Sequence, residues 1–418
     1  MNTTYTQKGE LMSDVIKVAV VGGGPAGMMA AGTALLYGAE VTIFEYMPYL
    51  GKKLGITGKG RCNVTNNCTI EEFLENVTRN PRFLYSALSN FAPSDTISFF
   101  ENLGVQLKTE RGNRVFPVSD KAKDIVEAMR IYCRCAKVIH EKIRSIKKRD
   151  NRYVLLGERE HTFDKVIIAT GGRSYPLTGS DGSGYRLARN LGHNITKLTP
   201  SLIPINASSP ICEAMQGLSL RNVGIKIIDS DERCIYTDFG EMMFTHFGVT
   251  GPVILSASSH IKGYDVSSLT LVLDLKPALD YDTLNARLIS DFKKYTNKDF
   301  VNSLSDLLPS KMIEPFVLLT GINPRKKTNV LTRTERETVL KTLKNFSIPL
   351  HSFRPIEEAI ITSGGVEIKE INPKTMESRI SPGLYFAGEI IDVDAYTGGF
   401  NLQIAFSTGY TAGLHAAE

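Results

Sequence analysis

With 418 residues, 42% of them hydrophobic and 22% charged, the chain is long enough for two or three domains and can bury a large core. Its formal charge of +5 is small for that length, and Lys and Arg run along the chain rather than gathering in a tail, which argues against a dedicated nucleic-acid partner. Its six Cys form no CxxC pair and no His/Cys cluster of zinc spacing, so reduced thiols, no metal site and a cytoplasmic location are expected. Residues 1–14 are polar and read as a frayed extension, and no later segment approaches the roughly 18 apolar residues of a membrane span.

The first structural signal is Lys17 to Gly27. Val18 to Val21 form an apolar run suited to a parallel strand buried on both faces. Gly22 permits a tight turn, Gly24 lets backbone approach a pyrophosphate, and Gly27 allows helix to pack on strand. Pro25 and Ala26 open a helix whose N-terminal amides face the phosphates and which stops at Gly38. A second strand, Val41 to Phe44, ends at Glu45, where a carboxylate accepts the hydroxyls of an adenosine ribose. Strand, turn, helix, strand and acid all stand at the offsets of a dinucleotide site.

Residues 51–63 follow with Gly51, Gly55, Gly58 and Gly60 among Lys52, Lys53, Lys59 and Arg61, a loop with backbone amides and cations to offer an anionic ligand. A helical region spans about 70–103, a turn and strand 110–117, and a helix Asp120 to Tyr132. Three antiparallel strands are expected at Lys137 to Lys147, Tyr153 to Arg159 and Thr162 to Ala169, with Asp150-Asn151 as a tight turn and Cys133 and Cys135 on one strand face. The last of these strands runs into Thr170-Gly171-Gly172, small residues where a cofactor would pass.

Past Leu198 the composition shifts to short β-like runs up to about 274, interrupted by a glycine-punctuated loop around His246, a weak catalytic candidate. Helical patterns then fill 275–346, including Asp282 to Tyr295, with breaks expected at Pro309 and Pro315. The chain returns to glycine-rich segments at Gly364-Gly365, at a strand Leu384 to Ala387 leading into Gly388-Glu389 and Asp392, and at Gly398-Gly399 before a buried terminal helix, Leu402 to Ala412. The dipole of that helix can stabilise negative charge on a bound ring system.

The single fingerprint, the Ala-Thr-Gly-Gly and the Tyr-Phe-Ala-Gly-Glu together resemble the two-dinucleotide-binding-domain flavoproteins of the glutathione-reductase superfamily. Gly51-Lys52-Lys53 with Thr57 to Asn63, Gly240-Glu241-Met242 with Phe244-Thr245-His246, and Asn372 to Ser378 with Gly398 to Gln403 resemble more closely the BaiN/YhiN-type NAD(P)/FAD-dependent oxidoreductases, which include aminoacetone oxidase and a proposed dehydro-bile-acid reductase. The resemblance implies an α/β fold: a discontinuous Rossmann-like FAD-binding domain (15–197 and 363–418) with an inserted β-barrel-like domain (198–274 and 347–362), itself carrying the helical insert (275–346). It implies FAD contacts from Lys53, Arg61, Cys62 and Asn63 on the flavin side, Thr170 and Gly171 beside the cofactor, and Gly388, Glu389 and Asp392 near the ribityl and phosphates. Gly399, Asn401, Leu402 and Gln403 would then stand at the pyrimidine edge.

The expected activity is hydride transfer between flavin and a small organic substrate, with NAD(P)H as a transient donor. Only one dinucleotide fingerprint is complete, since Gly179, Gly182 and Gly184 follow no strand. The alternatives are an O2-using amine oxidase, a flavoprotein acting on RNA, and a non-catalytic FAD-binding redox module.

Overall fold

The computed structural model describes residues 15–207 and 210–418, so the expected frayed extension at 1–14 lies outside the described residues. The chain divides into two compact units, one made of the residues up to Leu198 together with Gly364–Glu418, the other of Thr199–Ser363.

The first unit is built on five parallel strands: β1 (Lys17–Val21), β2 (Glu40–Phe44), β3 (Lys137–Ile139), β4 (Lys165–Ile168) and β5 (Leu384–Phe386). Their order in the sheet is β5-β4-β1-β2-β3. In β1 and β2 only the leading residues, Lys17 and Glu40, are exposed; they lie opposite each other in register, and the apolar residues that follow are buried. Helix α1 (Pro25–Leu36) connects β1 to β2, with Pro25 at its first position and Gly38 in the left-handed region (φ 89°) just past its end. Helix α2 (Phe400–Ala416) closes the chain.

The two helices meet through glycine. A Cβ on Gly409 would stand 2.5 Å from the Ala26 carbonyl oxygen, and one on Gly413 would stand 2.3 Å from that of Ala30. Glycines four residues apart therefore present bare backbone on one face of α2, and α1 answers with alanines.

Residues 137–169 do not make three long antiparallel strands. They make five short ones shared between two sheets: β3 and β4 enter the parallel sheet, while Ser145–Arg149, Arg152–Leu156 and Glu160–Phe163 form a separate antiparallel sheet. Asp164 is where the chain changes sheets, its carboxylate accepting the Lys17 amide at 2.8 Å and pairing with Arg152 at 2.9 Å. Asp150 and Asn151 both have positive φ and form the tight turn expected of them. Cys133 ends the helix Ala122–Tyr132 and Cys135 is exposed beyond it, so the two do not share a strand.

The helical region expected at 70–103 is split by a strand, Val77–Arg79, which pairs with Asp394–Ala395; Pro81 and Pro93 then restart the helices.

The second unit holds a closed six-stranded barrel in the order Ile205–Ala207, Gly248–Thr250, Cys234–Thr245, Ser219–Ile228, Thr270–Asp274, Phe346–Phe353. Alternate residues (Val223, Ile225 and Ile227; Leu271 and Leu273; Phe346, Ile348 and Leu350) are buried inside. Pro252–His260 is a helix within a stretch that reads as β-like. The helices Tyr281–Lys294, Ser310–Thr320 and Arg333–Lys344 are inserted between the last two strands, and their Leu284, Leu288, Phe316 and Leu343 join the barrel's apolar cluster. Pro309 caps Ser310–Thr320, whereas Pro315 lies inside that helix without ending it.

Because a side chain at Gly413 has no room against α1, Gly413→Leu is expected to lower the free energy of unfolding by about 1–3 kcal/mol. Urea denaturation measures this, and an unchanged midpoint would show that the two helices are not locked at that contact.

Candidate functional site

The turn between β1 and α1 holds one open glycine between two packed ones. A Cβ on Gly22 (φ 109°) would meet the Ala169 carbonyl oxygen at 2.5 Å, and one on Gly27 would meet the Gly22 carbonyl oxygen at 1.9 Å. Around Gly24, the N-cap of α1, nothing lies within 4 Å of a built Cβ. Gly22 and Gly27 hold strand to helix, and Gly24 leaves space in front of the free amides of the first turn. That is the donor set of a phosphate cradle.

Glu45, directly after β2, is oriented by the backbone. Its Oε2 accepts the Gly23 amide and its Oε1 the Met47 amide, both at 2.8 Å. Burial raises its pKa and the two amides pull it down. Each oxygen keeps a lone pair, so the carboxylate can accept ribose hydroxyls while tied to the glycine turn. The Tyr175–Gly182 segment runs alongside, with the Tyr46 hydroxyl donating to the Gly179 carbonyl at 3.2 Å.

The glycine-rich stretch after β2 is tightly turned, not an open loop. Leu54–Gly60 forms short helical turns kinked at Thr57, with Gly58, Lys59 and Cys62 all in the left-handed region. Cys62 is fully buried and burial pushes its thiol up to about 12, so it stays protonated at neutral pH and is a poor nucleophile. Next to it, the side-chain oxygen of Asn63 is buried without a partner among the described residues. A buried acceptor left unmatched is costly and marks where a donor from a ligand fits.

Lys53 reaches across the unit. Its ammonium bonds to Glu389 Oε2 at 2.8 Å and to Ser174 Oγ at 2.7 Å, joining the glycine-rich stretch, the segment after β4 and the turn after β5. Gly388 (φ 77°) packs against the start of α1, its built Cβ falling 2.7 Å from that of Ala26, and its amide donates to Thr408 Oγ1 at 2.9 Å. Thr170 follows β4 with its hydroxyl buried and unmatched among the described residues, and Gly171 adopts φ 71°. Gly22, Gly24, Ala26, Thr170 and Gly388 therefore converge at the ends of β1, β4 and β5 and the start of α1, where open α/β sheets bind ligands.

Other expected contacts are made with protein instead. Arg61 is neutralised by Glu110 and Asp120 and lies over the Phe116 ring at 4.3 Å, so its charge is not free for a flavin. Asp392, buried, pairs with Arg79 and accepts from Asn80 through its carbonyl at 2.6 Å. The Asn401 side chain accepts the Ala395 amide at 3.0 Å and donates to the Ala395 carbonyl at 2.7 Å. Gln403, fully buried, accepts from Thr65 Oγ1 at 2.6 Å and donates to the Phe91 carbonyl and Ser407. A Cβ on Gly399 would stand 2.3 Å from the Thr65 carbonyl, so that glycine serves a close backbone crossing. For these residues the polar side chain or missing Cβ is accounted for by architecture. At Gly399, Asn401 and Leu402 the backbone around the start of α2 is what remains to meet a ligand.

His246 lies in the second unit, exposed in the turn between Cys234–Thr245 and Gly248–Thr250, its ring edge against Phe247 at 5.0 Å. Gly182 does not follow a strand; it caps the helix Ser183–Asn190. Sequence reasoning missed Ser174, Arg79 and Asn80, which partner Lys53 and Asp392 across more than a hundred positions, and only Gly409-x-x-x-Gly413 carried a legible signal. Among the described residues no group of His, Cys, Asp and Glu is arranged to hold a metal, and no helix is long and apolar enough to cross a membrane.

A sequence profile described as "HI0933-like protein Rossmann domain" matches residues 16–415. The chain is 30% identical to a 3-dehydro-bile acid delta(4,6)-reductase of Clostridium scindens, over 96% of this chain and 99% of that one. It is 28% identical to a ribosomal RNA dihydrouridine synthase of Escherichia coli, over 94% and 95% respectively. Among solved structures, a 3-ketosteroid-delta4-(5alpha)-dehydrogenase from Rhodococcus jostii RHA1 shares the fold, with a TM-score of 0.52 and 14% identity over 98% of each chain.

The two kinds of glycine separate by mutation. Gly24→Ala is expected to leave unfolding unchanged while weakening FAD binding about tenfold or more, whereas Gly27→Ala should destabilise the protein itself. Flavin fluorescence titration and urea denaturation read the two effects, and equal FAD affinity in Gly24→Ala would remove the phosphate cradle from that turn.

Proposed function

The chain belongs to the HI0933-like Rossmann-domain family of flavin-dependent oxidoreductases, and from that premise we propose that it saturates a carbon–carbon double bond conjugated to a carbonyl group. The observation that carries this reading is the chemistry shared by two full-length relatives. One is named as a reductase of ring double bonds in a 3-oxo bile acid, the other as a synthase of dihydrouridine, which is uridine reduced across a bond conjugated to its C4 carbonyl. Each reduction adds a hydride to a carbon made electrophilic by the carbonyl, β to it or, through a conjugated diene, δ to it, and a proton to the other carbon of the double bond.

The residues present fit FAD: an open cradle at Gly24, a carboxylate held at the end of β2, and an unmatched buried acceptor at Asn63. When bound, FAD supplies the hydride from its N5 position. The amides at the start of α1 hold the pyrophosphate, and Glu45 accepts the ribose hydroxyls. Lys53 and Glu389, paired at 2.8 Å, fix the ribityl side. The amides at the start of α2 would hold the pyrimidine edge, and the positive end of that helix would stabilise negative charge there. Reduced pyridine nucleotide visits the flavin transiently as electron donor, since among the described residues only the β1–α1 turn has a complete dinucleotide fingerprint.

A second reading concerns what carries the double bond. The dihydrouridine synthase relative aligns with nearly the whole chain at an identity close to that of the bile-acid enzyme, which favours a uridine within RNA as strongly as a small enone.

The test is anaerobic. The purified protein should show flavin absorption that bleaches with NADH or NADPH and recovers on adding a 3-oxo-Δ4-steroid or uridine-containing ribosomal RNA, with the saturated product identified by mass spectrometry. Flavin that is reduced by a nucleotide but reoxidised only by O2 would turn the reading to an oxidase.

A further inference from the structure

His193, in the first unit, is buried, and both of its ring nitrogens are engaged. Nδ1 stands 3.1 Å from Glu370 Oε2 and Nε2 stands 2.9 Å from Ser378 Oγ, while the ring meets Phe386 of β5 edge-on with centroids 4.8 Å apart. The partners dictate the tautomer. Glu370 Oε2 also accepts the Asn194 amide at 2.9 Å, so the carboxylate acts as an acceptor and Nδ1 carries a proton. Ser378 Oγ accepts the amides of Ile380 at 3.0 Å and Ser381 at 2.8 Å, which occupy both of its lone pairs. Its own hydrogen therefore goes to Nε2, which is bare.

This arrangement accepts one charge state. A proton on Nε2 would face an oxygen with no lone pair left, away from water. Burial lowers the pKa of His193 from its ordinary value of 6.5, against the opposing pull of Glu370. Among the described residues Glu370 is the charged group that acts on the ring. Nearby on the same return segment, Arg379 is bonded to the Ile371 carbonyl at 3.3 Å and Glu377 to the Gly383 amide at 2.7 Å, and both Lys369 and Arg189, the latter in the last turn of the helix Ser183–Asn190, are exposed.

What His193 fastens bears on the flavin site. Its backbone amide donates to the Ala188 carbonyl at 3.1 Å, near the end of the helix Ser183–Asn190. At the start of that helix a Cβ on Gly184 would fall 1.8 Å from Thr170 Oγ1, and the Tyr185 hydroxyl lies 3.5 Å from the Glu389 carbonyl. On the other side of the ring, the Ser378 amide donates to the Leu384 carbonyl at 2.7 Å and the Phe386 amide to the Met376 carbonyl at 3.0 Å, so the Ser378 segment is laced to β5 just before Gly388. We propose that His193 is a positioning residue of the flavin site, a latch that in its neutral form holds the helix Ser183–Asn190 and β5 in the FAD-binding arrangement and that opens on protonation, releasing the cofactor. The inference rests on the reading that FAD fills the site at the ends of β1, β4 and β5.

The sign follows from linkage. A released His193 takes up a proton as pH falls through about 6.5, whereas the closed latch refuses it, so acid favours the open state. The test uses the full-length protein and His193→Asn, which keeps a donor for Glu370 and does not titrate. Between about pH 7.5 and pH 5.5 the dissociation constant for FAD, read by flavin fluorescence, should rise about five- to tenfold more in wild type than in the variant, the effect of one proton. Glu45 and His140, at the ribose end of the site, are the same in both proteins and cancel in the comparison. Histidine 15N NMR of the wild type should find His193 neutral at pH 7 with its proton on Nδ1. Equal pH dependence in the two proteins would overturn the proposal, as would a His193 charged at pH 7 or protonated on Nε2, a readout that needs no variant. A protein that binds no FAD at any pH, yet loses stability to urea below about pH 6.5 in wild type and not in His193→Asn, would retain the latch and discard the flavin reading.

Discussion

The contact between α1 and α2 is the constraint on which the first unit depends. Gly409 and Gly413 let the last helix lie directly on the carbonyls of Ala26 and Ala30, at separations no Cβ would permit. Ala26 is also in the first turn of α1, so the same contact brings the far end of the chain to the glycine turn. Gly388 then packs on Ala26, and Glu389 meets Lys53. One backbone crossing thereby brings together segments separated by more than three hundred residues. The intervening unit is accommodated because its own entry and exit strands, Thr199–Ser201 and Ile361–Ser363, are hydrogen-bonded to each other.

Around that crossing, charge is used to hold segments together. Lys53–Glu389 and Arg79–Asp392 each join stretches distant in sequence, and each takes at least one charge largely out of water. Burying such groups costs solvation that pairing offsets only when the geometry is good, so their value lies in fixing where segments meet more than in net stability. The same reasoning separates the two classes of polar residue at the site. Gln403 and Asn401 have their side-chain groups matched by protein, whereas Asn63 and Thr170 keep buried oxygens with no partner among the described residues. The second class has hydrogen-bonding capacity that a cofactor could meet.

The proposed reduction of a polarised double bond asks only for a carbonyl in conjugation, whatever molecule carries it. On that proposal, relatives named for a bile-acid reduction and for dihydrouridine synthesis would differ in what docks and not in redox chemistry.

Local pattern was enough for the elements whose physics is local. The run Val18 to Val21, the spaced glycines, Pro25 and Glu45 specify strand, turn, helix and carboxylate within thirty residues, and the structure forms those elements there. Asp150-Asn151 likewise dictates its turn by tolerating positive φ. Residues 137–169 show the limit: alternation marks them as strand, but which sheet each piece joins depends on Asp164 capping Lys17, a contact 147 positions away. The roles of Arg61, Asp392, Asn401 and Gln403 were hidden for the same reason, since a polar side chain in a glycine-rich motif looks alike whether it faces a ligand or a distant carbonyl. By itself the sequence determined the dinucleotide turn, its acid and the α/β class. Tertiary structure alone decided which charges are spent on the protein and which remain for a ligand, because pairing is settled by residues that only folding brings within 3 Å of one another.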